Sequence, residues 1–139
     1  MTVSADDLVE RARRRIHRVG PHELQGILGE GGLLIDIRPA AQRSEEGALP
    51  GAHVVERNVL EWRLDPDGAH RLLEVRDRDQ PIVVVCSAGY ASSLAAASLA
   101  DLGYTRAADL VGGYLAWRSW FTDPQFSQRR VAQTQGAAS

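Results

Sequence analysis

Residues 82–92 read IVVVCSAGYAS and carry the clearest structural pattern in the chain. Four β-branched apolar residues come first, and such a run is typical of a buried strand. A short loop then begins at Cys86 and leads into residues 92–102, whose apolar spacing is typical of a helix. The pattern predicts a strand, a tight loop and a helix in succession, with a thiol where the strand ends.

The same alternation continues on both sides of this stretch. Further strands are predicted at the short apolar runs 33–37, 53–55 and 107–111. Helices are predicted at 5–17 with Ser4 as the cap, 21–28, 42–46, 59–63 with Asn58 as the cap, 69–75 and 114–121. Short apolar strands that alternate with helices favour an α/β fold, an open parallel sheet covered on both faces. Because ligands bind beyond the carboxyl ends of such strands, Cys86 lies where a site is expected.

Size and charge narrow the class of protein. The chain has 139 residues, of which 44% are hydrophobic, and a formal net charge of −2, which fits one ordinary globular domain. No apolar stretch approaches the roughly 20 residues that span a bilayer. The N-terminus lacks the basic region and apolar core of a secretory signal. We therefore expect a cytoplasmic protein with neither a nucleic-acid nor a membrane partner.

The position of Cys86 predicts a reactive thiol. Backbone N–H groups in a loop that precedes a helix favour an anion, and the anionic thiolate is the nucleophilic form. A structural cysteine, buried as a small apolar side chain, is the alternative on this local pattern. Because the chain has a single cysteine, an internal disulfide, a Cys₄ zinc site and a CxxC redox pair are excluded. We expect no metal and no cofactor.

Several motifs, in order, resemble those of the rhodanese-like family. Residues 34–38 look like its Asp-x-Arg strand, and 47–52 are similar to its Gly-His-Ile-Pro-Gly-Ala turn. Residues 86–92 resemble its active loop Cys-x-x-Gly-x-Arg-Ser, and 102–117 contain its Gly-Tyr and Gly-Gly-x-x-x-Trp pattern. We accordingly divide the chain into an N-terminal helical extension (1–18), a rhodanese-like domain (19–124) and a mobile tail (125–139).

The resemblance implies an open, mostly parallel five-stranded sheet with helices on both faces. It also implies a single-domain sulfurtransferase whose Cys86 takes a sulfane sulfur from thiosulfate or a low-molecular-weight persulfide. The sulfur then passes to cyanide, a small thiol or a protein acceptor. Residues 86–91 form a six-residue loop, the length of the sulfurtransferases. Related phosphatases have seven residues and a final Arg, so phosphatase activity is not expected.

The loop residues are the expected binding groups for the donor sulfur. A persulfide on Cys86 is anionic and needs several converging donors. Gly89 suits a backbone conformation that a Cβ would hinder, and Tyr90 is placed at the rim. The Ser92 hydroxyl either caps the following helix, which we favour, or donates to sulfur. The predicted substrate-binding residues of the loop are Ser87, Ala88, Gly89, Tyr90, Ala91 and Ser92.

One position departs from the family pattern. Ala91 stands where many members have Arg, so the loop contains no cationic side chain. An anionic donor would need a cation from elsewhere, and Arg57 and Arg38 are the candidates. For Arg38 a structural role, pairing near its own strand end, is the favoured alternative. Asp36, at a neighbouring strand end, is expected to accept backbone N–H bonds that hold the loop rather than to act as a base.

A second function stays open on the sequence alone. The uncharged loop and the basic N-terminal helix also fit a non-catalytic rhodanese-like module that binds a partner or senses redox state. We expect the arginines of that helix to form a solvated face; an acidic partner surface is the alternative. These arginines are Arg11, Arg13, Arg14, Arg15 and Arg18.

Overall fold

A five-stranded, all-parallel sheet lies at the centre of the computed structural model, which describes residues 2–123. The strands are β1 (His17–Val19), β2 (Leu33–Asp36), β3 (His53–Val54), β4 (Ile82–Val85) and β5 (Ala107–Leu110). Their order across the sheet is β1-β5-β4-β2-β3. The predicted open parallel α/β sheet is therefore confirmed.

Helices cover both faces of this sheet, as the sequence predicted. They are α1 (Ala5–Arg13), α2 (Leu24–Gly29), α3 (Ala40–Glu46), α4 (Leu60–Leu64), α5 (Ala91–Asp101) and α6 (Gly113–Thr122). Short 3₁₀ turns, Pro21–Glu23 and Arg57–Val59, precede α2 and α4.

The central strand β4 shows why its sequence is an unbroken apolar run. Successive side chains of a strand point to opposite faces. Ile82 and Val84 enter one core with residues of α4 and α5, whereas Val83 and Val85 enter the other with residues of α2 and α6. A strand buried on both faces cannot alternate apolar with polar residues.

The sheet register places two acidic residues beside the end of β4. On one side, Asp36 of β2 pairs with Val85. On the other side, Asp109 of β5 pairs with Val84. Cys86 follows directly, so it begins the loop at the carboxyl edge of the sheet, flanked by the ends of β2 and β5.

The N-terminal segment differs from its prediction. The capping box of Ser4 and Asp7 starts α1 where expected. The helix ends at Arg13 rather than near residue 17, because residues 17–19 form β1 and pair with β5. Helix α1 then lies against α5. This arrangement turns the last part of the segment toward the Cys86 loop.

Two other local predictions are wrong. Residues 69–75 are irregular rather than helical, because distant groups hold them: Leu72 N–H donates to Arg63 O, and the Gln80 side chain donates to Glu74 O. Asn58 is not a helix cap, since it lies inside the 3₁₀ turn before α4.

The proposed division of the chain stays a prediction. Strand β1 crosses the line drawn between residues 18 and 19, and the predicted mobile tail, 125–139, lies outside the described residues. Within residues 2–123, none of the helices combines the length and apolar character needed to cross a membrane.

Candidate active site

Polar donors converge on the sulfur of Cys86. The backbone N–H groups of Gly89 and Ser92 lie 3.1 and 3.3 Å from Sγ, and the thiol contacts Ser92 Oγ at 3.3 Å. Cys86 keeps 8% of its surface exposed. A purely structural cysteine has apolar neighbours alone, whereas this sulfur has donors that stabilise a negative charge.

The start of α6 orients the first half of the loop. The N–H of Tyr114 donates to Cys86 O at 2.8 Å, and the N–H of Leu115 donates to Ser87 O at 3.1 Å. All peptide bonds in residues 2–123 are trans, so the C=O and N–H of one peptide unit point in opposite directions. With these carbonyls bound by α6, the N–H groups of Ser87 and Ala88 point away from α6.

Two glycines allow the loop and α6 to approach each other. Gly89 has φ +89°, and a Cβ on it would lie 2.8 Å from Gly112 N. Gly113 has φ +64°, and its Cβ would lie 2.4 Å from Cys86 O. The predicted need for glycine at position 89 is confirmed, and the Gly112–Gly113 pair serves the same close contact.

Ser92 does not cap the helix. Helix α5 begins one residue earlier, at Ala91, and its N-cap residue, Tyr90, makes no side-chain cap bond. The Ser92 hydroxyl instead donates to Asp109 Oδ2 at 2.9 Å while its oxygen faces the Cys86 sulfur. Our preference for capping is therefore wrong. The alternative is right in placing Ser92 Oγ at the sulfur but wrong in direction, because the thiol donates to Ser92 Oγ.

Asp109 is a site residue that the sequence analysis missed. Its side chain is fully buried and accepts hydrogen bonds from Ser92 Oγ, from Ser93 Oγ at 2.7 Å and from Arg18 Nε at 2.9 Å. A buried carboxylate needs such partners. The available signal was an acidic residue inside an otherwise apolar strand, 107–110.

Arg38 does not serve as the missing cation. Its side chain is fully buried, and its guanidinium lies 2.7 Å from Asp36, 3.1 Å from Glu46 and 4.0 Å from the Tyr114 ring centroid. Burial acts to lower the pKa of Arg38, but its hydrogen bonds to Asp36 and Glu46 raise it overall. Because these neighbours occupy its N–H groups, the predicted substrate-binding role of Arg38 is wrong.

Asp36 supports the Cys86 loop only indirectly, through Arg38 and Glu46. It accepts the backbone N–H of Arg38 at 3.1 Å and the Arg38 guanidinium, not an N–H of residues 86–92. Arg38 bonds Glu46, and Glu46 Oε1 accepts the Ser87 hydroxyl at 2.9 Å. The carboxylate thus fixes the turn after β2, and the support reaches the loop by way of Glu46.

The other predicted residues take simpler positions. Tyr90 is 59% exposed at the rim, and Ala88 and Ala91 are exposed beside it. Arg57 forms an exposed ion pair with Glu61 at 3.0 Å, so its role in donor binding stays a prediction.

Two arginines of the N-terminal segment reach the loop. Arg13 Nη2 donates to Gly89 O at 2.8 Å, and Arg18 Nη2 donates to the same oxygen at 3.0 Å. The expectation that both belong to a solvated face is wrong. No sequence pattern predicts this contact, because it depends on how α1 and β1 pack against α5 and β5.

These features define a parallel α/β domain with a single cysteine, whose sulfur accepts backbone N–H groups of the loop that follows β4. The chain belongs to the rhodanese-like family: the family model described as a rhodanese-like domain matches residues 20–119.

Relatives and solved structures agree with this assignment. The chain is 31% identical over 104 residues to the thiosulfate sulfurtransferase GlpE of Ectopseudomonas mendocina, covering 75% of this chain and 86% of that protein. It is similar to the human single-domain sulfurtransferase TSTD1, with 27% identity, a TM-score of 0.61 and coverage of 73% and 95% of the two chains. A protein of unknown function from Rhodopseudomonas palustris, described as a possible tyrosine phosphatase, shares the fold with a TM-score of 0.75, 24% identity and coverage of 86% and 92%.

Proposed function

We propose that this protein is a rhodanese-type sulfurtransferase that carries a sulfane sulfur on Cys86. The observation that supports this most is the pair of N–H groups, from Gly89 and Ser92, aimed at Sγ. The sulfurtransferase names of the relatives and the six-residue loop agree with it.

The first half-reaction loads the cysteine. The Cys86 thiolate attacks the outer sulfur of thiosulfate, a new S–S bond forms, and the S–S bond of thiosulfate breaks. Sulfite leaves with the electron pair, and a persulfide anion remains on Cys86. The inward N–H groups then stabilise the anionic outer sulfur.

The second half-reaction transfers the outer sulfur of the Cys86 persulfide to an acceptor. Cyanide or a thiolate attacks the outer sulfur, so the S–S bond to Cys86 breaks and the cysteine thiolate is regenerated. Because the chain has no second cysteine, the acceptor must come from outside, as a small molecule or as a thiol of another protein.

The Ser92 hydroxyl can hydrogen-bond the sulfur in both of its charge states, as an acceptor from the neutral thiol and as a donor to the anion. Its oxygen accepts from the neutral thiol, and its own proton lies on the Asp109 side. Asp109 has other donors, Ser93 and Arg18, so Ser92 can turn its proton toward an anionic sulfur without leaving the carboxylate unpaired.

Mass measurement of the intact protein tests this function. After incubation with thiosulfate, the wild-type protein should gain one sulfur atom and lose it on addition of cyanide, with release of thiocyanate. Cys86→Ser should gain none. If neither thiosulfate nor glutathione persulfide adds sulfur to the wild-type protein, the function is overturned, and a non-catalytic binding or redox-sensing module becomes the better assignment.

The proposed compartment is the cytoplasm. A free thiol with no partner cysteine for a disulfide is suited to a reducing environment. Fractionation of the source cells tests this assignment. The protein should be found in the soluble cytoplasmic fraction, and its presence in the membrane or exported fraction would contradict it.

A further inference from the structure

We propose that Arg13 and Arg18 supply, from the N-terminal segment, the positive charge that the Cys86 loop itself lacks. They act as positioning residues that hold one peptide unit of the loop for an anionic sulfur. This inference rests on the proposed sulfurtransferase function and deepens it.

Both guanidinium groups bind one carbonyl oxygen on the outside of the loop. Arg13 Nη2 lies 2.8 Å from Gly89 O, and Arg18 Nη2 lies 3.0 Å from it. Arg13 also donates to Ser93 Oγ at 3.0 Å and lies 5.3 Å from the Tyr90 ring centroid. The end of α1 is thus fixed to the second half of the loop and to the start of α5.

The carbonyl that they bind determines the direction of an N–H group. In the trans peptide unit of Gly89 and Tyr90, the Tyr90 N–H points away from the Gly89 oxygen. Because the oxygen is held outward by two cations, the Tyr90 N–H faces the inside of the loop. Two cations on the oxygen also polarise this peptide unit and make its N–H a stronger donor.

Together with the contacts of α6, this defines an amide ring around the sulfur. We use this name for the N–H groups of five residues. Two of them contact Sγ directly, and the direction of the other three is inferred from the carbonyl of the same peptide unit, which is bound on the outside of the loop. The amide ring consists of the N–H groups of Ser87, Ala88, Gly89, Tyr90 and Ser92.

The two arginines differ in how their charge is balanced. Arg18 is shared between the buried carboxylate of Asp109 and Gly89 O, so the carboxylate balances part of the charge that it brings to the loop. The bonds of Arg13 within the described residues go to neutral groups, a carbonyl and a hydroxyl, and its charge remains available to the loop. Neither residue lies in the stretch 20–119 that the family model covers.

The test compares neighbouring arginines of the same segment. Arg13→Gln removes one of the two cations from Gly89 O, the one whose charge no carboxylate balances within the described residues. Arg14→Gln removes the same charge from a side chain that is exposed and pairs only with Glu10 within the described residues, so it is the matched control. Arg18→Gln is less suitable because it would leave buried Asp109 without its cation.

Two measurements are made on each full-length variant. The first is the ratio of the rates at which anionic iodoacetate and neutral iodoacetamide alkylate Cys86. A loss of packing changes both rates together, whereas a lost positive charge lowers the ratio. The second is the rate of sulfur loading as a function of thiosulfate concentration.

Arg13→Gln should lower the alkylation ratio and the thiosulfate efficiency kcat/KM by about threefold to tenfold, the size of a charge-assisted hydrogen bond at a partly exposed site. Arg13→Lys should restore the ratio in part, and Arg14→Gln should match wild type. Equal ratios in Arg13→Gln and Arg14→Gln would overturn the inference. Because alkylation needs no sulfur donor, this comparison is decisive even if the wild-type protein fails to load sulfur and the proposed function falls.

Discussion

Ser92 and Ser93 both bond the buried carboxylate of Asp109, but only Ser92 also has a recorded contact with the Cys86 sulfur. We predict that Ser92→Ala and Ser93→Ala each lower the free energy of unfolding by about 1–3 kcal/mol, because each removes a donor from a buried carboxylate. Sulfur loading should fall about tenfold further in Ser92→Ala, which also loses a donor to the anionic sulfur. Denaturant unfolding and loading kinetics measure the two effects. Equal loading rates in the two variants would show that the Ser92 hydroxyl has no part in the chemistry.

A comparison of Gly89 with Gly51 distinguishes two effects of adding a Cβ: backbone strain at a positive φ, and a steric clash with a neighbouring atom. Both have positive φ, +89° and +80°, but a Cβ on Gly51 would meet nothing within 4 Å. We predict that Gly89→Ala abolishes sulfur loading, because its Cβ would push the loop away from Gly112. Gly51→Ala should lose about 1–2 kcal/mol of stability and load sulfur normally. Intact mass after thiosulfate treatment, with circular dichroism to confirm folding, distinguishes them; normal loading by Gly89→Ala would contradict the described loop geometry.

Single residues of the site were predictable to different degrees. Cys86 and Gly89 could be identified because neighbours in sequence determine the strand end and the loop. Asp109, Arg13 and Arg18 could not, because their contacts depend on the pairing of β1 with β5 and of β5 with β4. For Arg38 the structural alternative is correct, because its partner Asp36 lies two residues away in sequence, whereas its contact with Glu46 depends on the position of α3.

At the scale of helices and strands, a hydrogen bond of Tyr104 connects the segment between α5 and β5 to the end of α4. Its buried hydroxyl donates to Leu64 O at 2.6 Å, and burial raises the pKa of Tyr104 from 10.0 to about 12. Folding therefore favours the neutral phenol. This contribution to stability is complete below pH 10 and is lost as the pH rises toward about 12.

We predict that Tyr104→Phe is less stable than wild type by about 1–3 kcal/mol at pH 8, because the Leu64 carbonyl loses its donor. The difference between the two proteins should shrink above pH 10, because there the Tyr104 hydroxyl ionises in the unfolded state while it stays neutral in the folded one up to about pH 12. Urea unfolding at several pH values measures it. A difference that stays constant up to pH 12 would contradict the burial of this hydroxyl.

The elements that the sequence predicted correctly are those whose patterns are strongest. Strand β4 and helix α5 have long, uniform apolar signals and a glycine after the helix. The segment 69–75 has helix-forming residues, yet hydrogen bonds from Gln80 and to Arg63 hold it in an irregular conformation. Likewise, α1 ends early because the edge of the sheet gains a fifth strand from residues 17–19.

For the molecule as a whole, the buried pair of Asp36 and Arg38 joins β2, α3 and α6. We predict that Arg38→Met destabilises the protein by about 3–5 kcal/mol, because it leaves the buried Asp36 carboxylate without its cation. Arg106→Gln, which breaks an exposed pair with Glu30, is the matched control and should change stability by less than about 0.5 kcal/mol. Denaturant unfolding measures both, and similar losses in the two variants would contradict the structural role of Arg38.

The whole fold brings α1, β4, α5 and α6 together around one sulfur atom. A crystal structure of the protein after loading with thiosulfate would show directly whether the amide ring holds that sulfur as an anion. We expect the outer sulfur of a Cys86 persulfide inside the loop, within about 3.5 Å of at least three N–H groups of the amide ring. An outer sulfur directed out of the loop, or N–H groups turned away from it, would contradict this.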